Sequence, residues 1–277
     1  MEKKIVTIQD ISCYGQCSIT VALPVLSAFG FETAIIPSAV LSTHTSGFKN
    51  FTVHNLTSEI PGILDHWKRE NIKFDALYSG YLGEKEHIDL VIRMKNELLN
   101  PNGIFLLDPV MADNGVLYPV FDMEYVKEVK RLVKEADIIV PNLTEACFLA
   151  DVPYQEELSP EYIQTVIDGL LKIGAKNIVL TGISYKKGMT GVLLYSNGKY
   201  QHYEHKRINK VFHGTGDVYA STLLGIYLKT NDLFYSMKMA AEFVVKCINN
   251  TIKDENHWYG VKFEPLLSEF VNEIKKG

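Results

Sequence analysis

The chain predicts an α/β fold: a mainly parallel central sheet with helices on both faces and one antiparallel hairpin. Three observations carry that reading. Short runs rich in Ile, Val and Leu alternate with longer helical stretches from Lys4 to Leu180. Most of the short runs end in polar, glycine or proline residues, where ligands bind in folds of this class. Asn197-Gly198 separates two further strand-like runs, the signal of a type I′ hairpin.

The first strand is Lys4–Gln9, followed by the polar turn Asp10-Ile11-Ser12-Cys13-Tyr14-Gly15-Gln16. Cys17 to Phe29 reads as a helix stopped by Gly30, with Pro24 bending or restarting it. Thr33–Ala39 is the second strand, and Leu41–Asn55 a loop dense in hydroxyls and histidine. Glu59–Glu70 is helical. Asp75–Ser79 is a strand ending in Ser79-Gly80-Tyr81-Leu82-Gly83, where Tyr81 either stacks on a flat ligand or lids the core. Lys85–Leu99 is a helix closed by Asn100-Pro101-Asn102-Gly103.

Ile104–Leu107 is a buried strand that delivers Asp108-Pro109-Val110-Met111-Ala112-Asp113. Asp108 is placed as a metal- or phosphate-side group, or as a turn cap, and Asp113 is a second carboxylate in the same loop. Met123–Glu135 is an amphipathic helix, and Asp137–Val140 a buried strand leading to Asn142 and Glu145. Glu145 either compensates the dipole of the helix that runs to Ala150 or meets magnesium through water. Pro160–Ile173 is a helix. Asn177–Leu180 is a strand with Thr181 at its end, and Met189–Tyr195 and Lys199–His205 form the hairpin. His202 and His205 read as exposed strand residues rather than metal ligands. The last helices run over Thr215–Leu228, Leu233–Thr251 and Phe263–Lys276.

The chain is organised around Val211–Leu224, a strand end, a glycine turn and a helix start. Gly214 and Gly216 let the backbone turn tightly and admit a ligand. Thr215 is placed to cap the helix, with Asp217 in its first turn. Free N–H groups at such a helix start favour an anion, and the carboxylate beside them can accept a proton from an attacking alcohol. That pairing suits phosphoryl transfer to a hydroxyl. His213 adjoins the turn; it touches substrate or phosphate, or packs there.

At 277 residues, 47% hydrophobic and 22% charged, the chain has the make-up of a globular protein with a sizeable core, and no linker or repeat divides it. A single domain over 1–277 is therefore expected. The net charge of −5 argues against a broad nucleic-acid surface while leaving room for a local anion site built from backbone amides. The amino-terminal apolar run stops at Gln9, too early for a signal-peptide core, and no stretch reaches membrane-spanning length. Cys13, Cys17, Cys147 and Cys247 have neither zinc-site spacing nor a disulfide framework, so a reducing cytoplasm is the expected setting.

With these pieces in order the chain resembles the ribokinase superfamily, and within it the pyridoxal/pyridoxamine/pyridoxine kinases. The resemblance spans nearly the whole chain. It rests on Ile8-Gln9, Ser42-Thr43-His44-Thr45, Ser79-Gly80-Tyr81-Leu82-Gly83, Asp108-Pro109-Val110-Met111, the run from Ala136 to Glu145, and Gly214-Thr215-Gly216-Asp217. The resemblance implies ATP-dependent phosphorylation of the 5′-hydroxymethyl of a B6 vitamer. Asp217 then serves as catalytic base and Gly214, Thr215 and Gly216 as the anion hole. Asp108 and Glu145, with Asp113 as a further candidate, fall where magnesium and ATP phosphates are held. Val140, Asn142 and Thr181 fall on the nucleotide side, and Ile208 and Phe212 flank adenine. Thr45, Ser46 and Tyr81 line the ring pocket. A homodimer, magnesium and a potassium ion are also implied.

Asp10 stands where the best-known members carry serine, so it meets another ring atom or favours an aminomethyl vitamer by charge, with Ser12-Cys13 as a second source of the hydroxyl. Leu41 replaces an aromatic. Two other functions compete: a hydroxymethylpyrimidine kinase, whose glycine-rich turn after the first strand this chain lacks, and a non-catalytic vitamer-binding protein, against which the retained Asp217, Asp108 and Glu145 argue.

Overall fold

The structure, a computed structural model, describes residues 3–276. Met1 and Glu2, from the amino-terminal run, and Gly277 lie outside the described residues. The chain divides into two compact units, Met1–Ile60 with Ile208–Gly277, and Pro61–Arg207.

In the first unit β1 (Lys4–Ser12) carries an unbroken buried run from Ile5 to Asp10, the mark of a strand covered on both faces. Helix α1 (Ile19–Ala28) leads to β2 (Glu32–Leu41), which pairs parallel with β1. The short β3 (Val53–Asn55) adds an antiparallel edge to β2.

The second unit opens inside α2 (Ile60–Arg69), from Pro61 onward, and continues with β4 (Phe74–Ser79), α3 (Glu86–Leu98) and β5 (Leu99–Leu107). A small antiparallel pair, β6 (Ala112–Asp113) and β7 (Val116–Leu117), precedes α4 (Met123–Glu135). Then come β8 (Ile138–Ile139), α5 (Leu143–Ala150), α6 (Pro160–Lys172), β9 (Asn177–Thr181), β10 (Met189–Ser196) and β11 (Lys199–Lys206). Its strands run in the order β4-β5-β8-β9-β10-β11, parallel as far as β9 and antiparallel beyond. Asn197 and Gly198 both have positive φ, 51° and 74°, as a type I′ hairpin requires. Asp122 and Ser159 accept the amides of Tyr125 and Tyr162, which fixes the starts of α4 and α6.

The chain returns to the first unit with α7 (Thr215–Thr230), α8 (Leu233–Thr251) and α9 (Glu264–Lys276). Helix α7 packs on α1 and α8, with Val218, Ala220, Leu223 and Leu224 fully buried. Gly225 allows the approach to α1, because a Cβ there would lie 2.5 Å from Cδ2 of the buried Phe29. Gly225→Ala is therefore expected to lower stability by about 1–2 kcal/mol, overpacking outweighing the gain in helix propensity. Urea unfolding measures it; an unchanged midpoint would mean that Phe29 yields.

Several elements differ from the sequence reading. Strand β1 continues through Asp10, Ile11 and Ser12, since Ile11 and Ser12 find backbone partners in Val40 and Leu41. Helix α1 starts at Ile19, not Cys17, because Ser18 has φ 54° and ψ −129°. It passes through Pro24 unbroken. The loop expected over 41–55 contains β3, and the turn expected at 100–103 is a bulge inside β5, where Phe74 and Ala76 pair with Leu99 and Ile104. His202 and His205 are half-buried rather than exposed, His202 lying edge-on to Tyr185. No helix among the described residues is long and apolar enough to cross a membrane. All four cysteines are free thiols; Cys13 is exposed and Cys147 and Cys247 are buried.

Candidate active site

The expected site residues fall in both units. Asp10, Ser12, Thr45, Ser46, Ile208, Phe212, Gly214, Thr215, Gly216 and Asp217 belong to the first. Tyr81, Asp108, Asp113, Val140, Asn142, Glu145 and Thr181 belong to the second.

In the first unit Gly214 caps α7 in the left-handed conformation, φ 75°. It packs so tightly that a Cβ would sit 1.9 Å from the carbonyl oxygen of Gln16. Gly216 differs: a Cβ there would meet nothing within 4 Å, so the mouth of the helix is open on that side. Thr215 does not cap. It is the first helical residue, and its hydroxyl turns back to donate to the Phe212 carbonyl at 3.2 Å. The glycine at 214 takes the cap position because the tight turn requires positive φ. The first-turn amides of α7 are consequently left for an anion.

Asp217 projects from that first turn. Burial raises its carboxyl to about 7, opposed by a hydrogen bond from the Ser18 amide and reinforced by the negative charge of Asp10. Asp10 is 4% exposed and accepts the hydroxyls of Ser12 at 2.9 Å and Ser18 at 2.5 Å. Burial raises its carboxyl as well. The Ser12 hydroxyl is thus directed at Asp10. Cys17 stands in the field of both carboxylates, and burial first, then those charges, pushes its thiol up. It is held as a neutral thiol rather than a nucleophile.

His44 adjoins this group. Its Nδ1 accepts the Ser46 amide at 3.2 Å and its Nε2 faces the Tyr259 carbonyl at 3.0 Å, a pattern that only the neutral Nε2–H tautomer satisfies. Burial lowers its pKa accordingly. The His213 ring lies 5.4 Å from that of His44 and is likewise held low by burial. Thr45 is exposed and Ser46 half-buried. Phe212 is buried with the Lys210 ammonium 5.2 Å from its ring centre, whereas Val211 before it is 85% exposed.

In the second unit the residues of two strand ends are bound together. Asn142 and Glu145 form a capping box at the start of α5, each accepting the other's amide at 2.9 Å. Glu145 also accepts the Met111 amide at 3.1 Å, and Asn142 donates to the Ala112 carbonyl at 2.9 Å. Thr144 accepts the Gly115 amide at 3.0 Å. Helix α5 therefore clamps the loop that carries Asp108 and Asp113. Burial pushes the Glu145 carboxyl well above its usual range, and the nearby Asp113 adds to it. Asp108 is 6% exposed, while Asp113 is exposed and accepts its neighbour Asn114. Val140 is buried, and the Thr181 amide donates to the Pro141 carbonyl at 3.0 Å. Tyr81 packs on Phe121 at 5.6 Å.

Among the described residues no three His, Cys, Asp or Glu side chains are grouped to hold a metal. The donor set suits magnesium, which keeps several waters and takes one or two carboxylates alongside nucleotide oxygens. A buried Glu145 disfavoured as an anion beside a second carboxylate is a group that a nearby cation would relieve. The amides that Glu145 accepts leave it fit for contact through water.

Comparison with known proteins finds likeness over nearly the whole chain. The family model described as phosphomethylpyrimidine kinase matches residues 5–261. The chain belongs to that family. A Bacteroides thetaiotaomicron protein described as a phosphomethylpyrimidine kinase, solved with pyridoxal, is 33% identical, with TM-score 0.90 over 99% of this chain and 96% of its own. Pyridoxal kinase of Lactobacillus plantarum is 28% identical, with TM-score 0.90 over 99% and 98%. Pyridoxal kinase of Dictyostelium discoideum is 28% identical over 91% of this chain and 87% of its own. The fold is ribokinase-like, and the protein is a kinase.

Sequence reasoning missed Ser18 and undervalued His44. Nothing in the composition around Ser18 marks it; its role comes from a backbone conformation. His44 stood in plain view in a hydroxyl-rich loop, a setting that polar loops share generally.

Proposed function

We propose that this kinase transfers the γ-phosphoryl group of ATP to the hydroxymethyl group of a B6 vitamer, the whole chain acting as one kinase domain. The observation that carries the reading is Asp217, a half-buried carboxylate in the first turn of a helix whose N-terminal amides no side chain caps. Asp217 takes the proton of the hydroxymethyl group as its oxygen attacks phosphorus. The amides of the Gly214–Gly216 turn hold the charge spreading over the transferred phosphoryl oxygens. Asp108 and Glu145 would hold magnesium with the nucleotide, and the ion, when bound, neutralises phosphate charge. Asn142 and Thr181 act on the nucleotide side. The relatives named for pyridoxal, and the one solved with it, support this choice of acceptor.

A second reading has a specific basis: the family takes its name from a pyrimidine acceptor. A coupled assay with ATP and magnesium, run on pyridoxal, pyridoxamine, pyridoxine and hydroxymethylpyrimidine, separates the two. The expected result is kcat/KM at least tenfold higher for a vitamer. A preference for the pyrimidine would replace the reading. Tight vitamer binding without turnover would make the protein a binder.

A further inference from the structure

Ser18 lies beside Asp10, the buried carboxylate near the end of β1, with the half-buried Asp217 close to its backbone amide. Its hydroxyl donates to Asp10 at 2.5 Å. Its carbonyl accepts the Val21 and Ala22 amides at the start of α1, and it bridges to Ile11 in β1. The residue holds φ 54° and ψ −129°, a region open to glycine and rarely entered by a side chain. A glycine would satisfy that backbone without strain. Serine adds only a hydroxyl, and the hydroxyl is spent on Asp10.

The neighbourhood explains why such a tie matters. Asp10 and Asp217 repel each other, and neither forms an ion pair among the described residues. The hydroxyls of Ser18 and Ser12 hold the Asp10 carboxylate in place beside Asp217. Gln16 presses on Gly214 from the same short segment, so the turn before α1 also meets the anion-hole turn.

We infer that Ser18 is a positioning residue for phosphoryl transfer, holding the acceptor-side carboxylate Asp10 in place. The inference rests on the kinase reading given above. The hydroxyl acts on acceptor binding through Asp10.

The test compares Ser18→Ala with Ser18→Gly, alone and on an Asp10→Ala background, reading acceptor KM, kcat and thermal midpoint. Both variants lose the hydroxyl, but only glycine relieves the backbone. Positioning predicts the same five- to twentyfold rise in acceptor KM in both, with kcat within twofold, although their midpoints differ. It also predicts less than a twofold further change on the Asp10→Ala background. A purely structural role predicts that activity follows the midpoint, with Ser18→Gly matching wild type. That result, or losses that multiply fully with those of Asp10→Ala, overturns the inference. If Ser18→Ala does not fold, Ser18→Gly carries the test. A wild-type enzyme that turns over no hydroxymethyl heterocycle would instead overturn the kinase reading.

Discussion

Asp217→Asn is expected to abolish turnover and, above neutral pH, to stabilise the protein. The isosteric amide cannot take the acceptor's proton, so kcat should fall by about 10³ or more, within the range ascribed to a lost general base. The stability effect follows from the raised pKa. A carboxyl that titrates near 7 in the folded state and near 4 when unfolded favours folding only while protonated. Its ionisation therefore opposes folding increasingly from about pH 4 to pH 7, and by a constant amount above that. Asparagine removes this opposition. At pH 8 the variant should be more stable by about 2–4 kcal/mol, and at pH 4 close to wild type. The wild-type kcat/KM should rise with pH through about 7 as the base deprotonates. Thermal scans at the two pH values and a pH–rate profile read all three effects. A variant that retains turnover, or a stability change independent of pH, would refute the role given to Asp217.

The two glycines of the same turn should respond differently to one added methyl. Gly214→Ala forces a left-handed backbone on alanine and drives its Cβ to 1.9 Å from the Gln16 carbonyl, where backbone rather than a flexible side chain must move. A loss of about 2–4 kcal/mol is expected from strain and overlap together, with turnover reduced at least about 100-fold. Gly216→Ala meets open space at ordinary helical φ, so its midpoint should stay within a few degrees of wild type. Its methyl would enter the space that the proposed mechanism gives to the transferred phosphoryl, and turnover should drop without loss of fold. Circular dichroism melts and the coupled assay distinguish the pair. Equal effects in both glycines would contradict a cradle open only at position 216.

Much of this was legible in the residues because it is local. The apolar period of Met123–Glu135 and of Leu233–Thr251 marks both helices to the residue, and Asn197-Gly198 can hardly be anything but a hairpin turn. The glycine turn before Asp217 was legible for the same reason, since positive φ and a first-turn carboxylate are written in residue types. What escaped depends on partners far away in the chain. Ile11 and Ser12 look like turn residues until Val40 and Leu41 supply them with a neighbouring strand. The proline–glycine run at 100–103 looks like a loop until β4 draws both of its ends into one strand. Thr215 looks like a cap because its type suits one, yet the glycine before it already satisfies the turn. Glu145 could be read as a dipole partner or a metal contact. It is first a fastener, accepting amides from its own helix and from the loop after β5.

The four thiols have a practical consequence. Cys17, Cys147 and Cys247 are all driven toward the unreactive protonated form by burial, while Cys13 alone lies exposed on the turn that closes β1. A maleimide dye would thus attach at one place without any engineered substitution. That place is three residues from Asp10, so the native chain comes with an optical handle beside the proposed acceptor site.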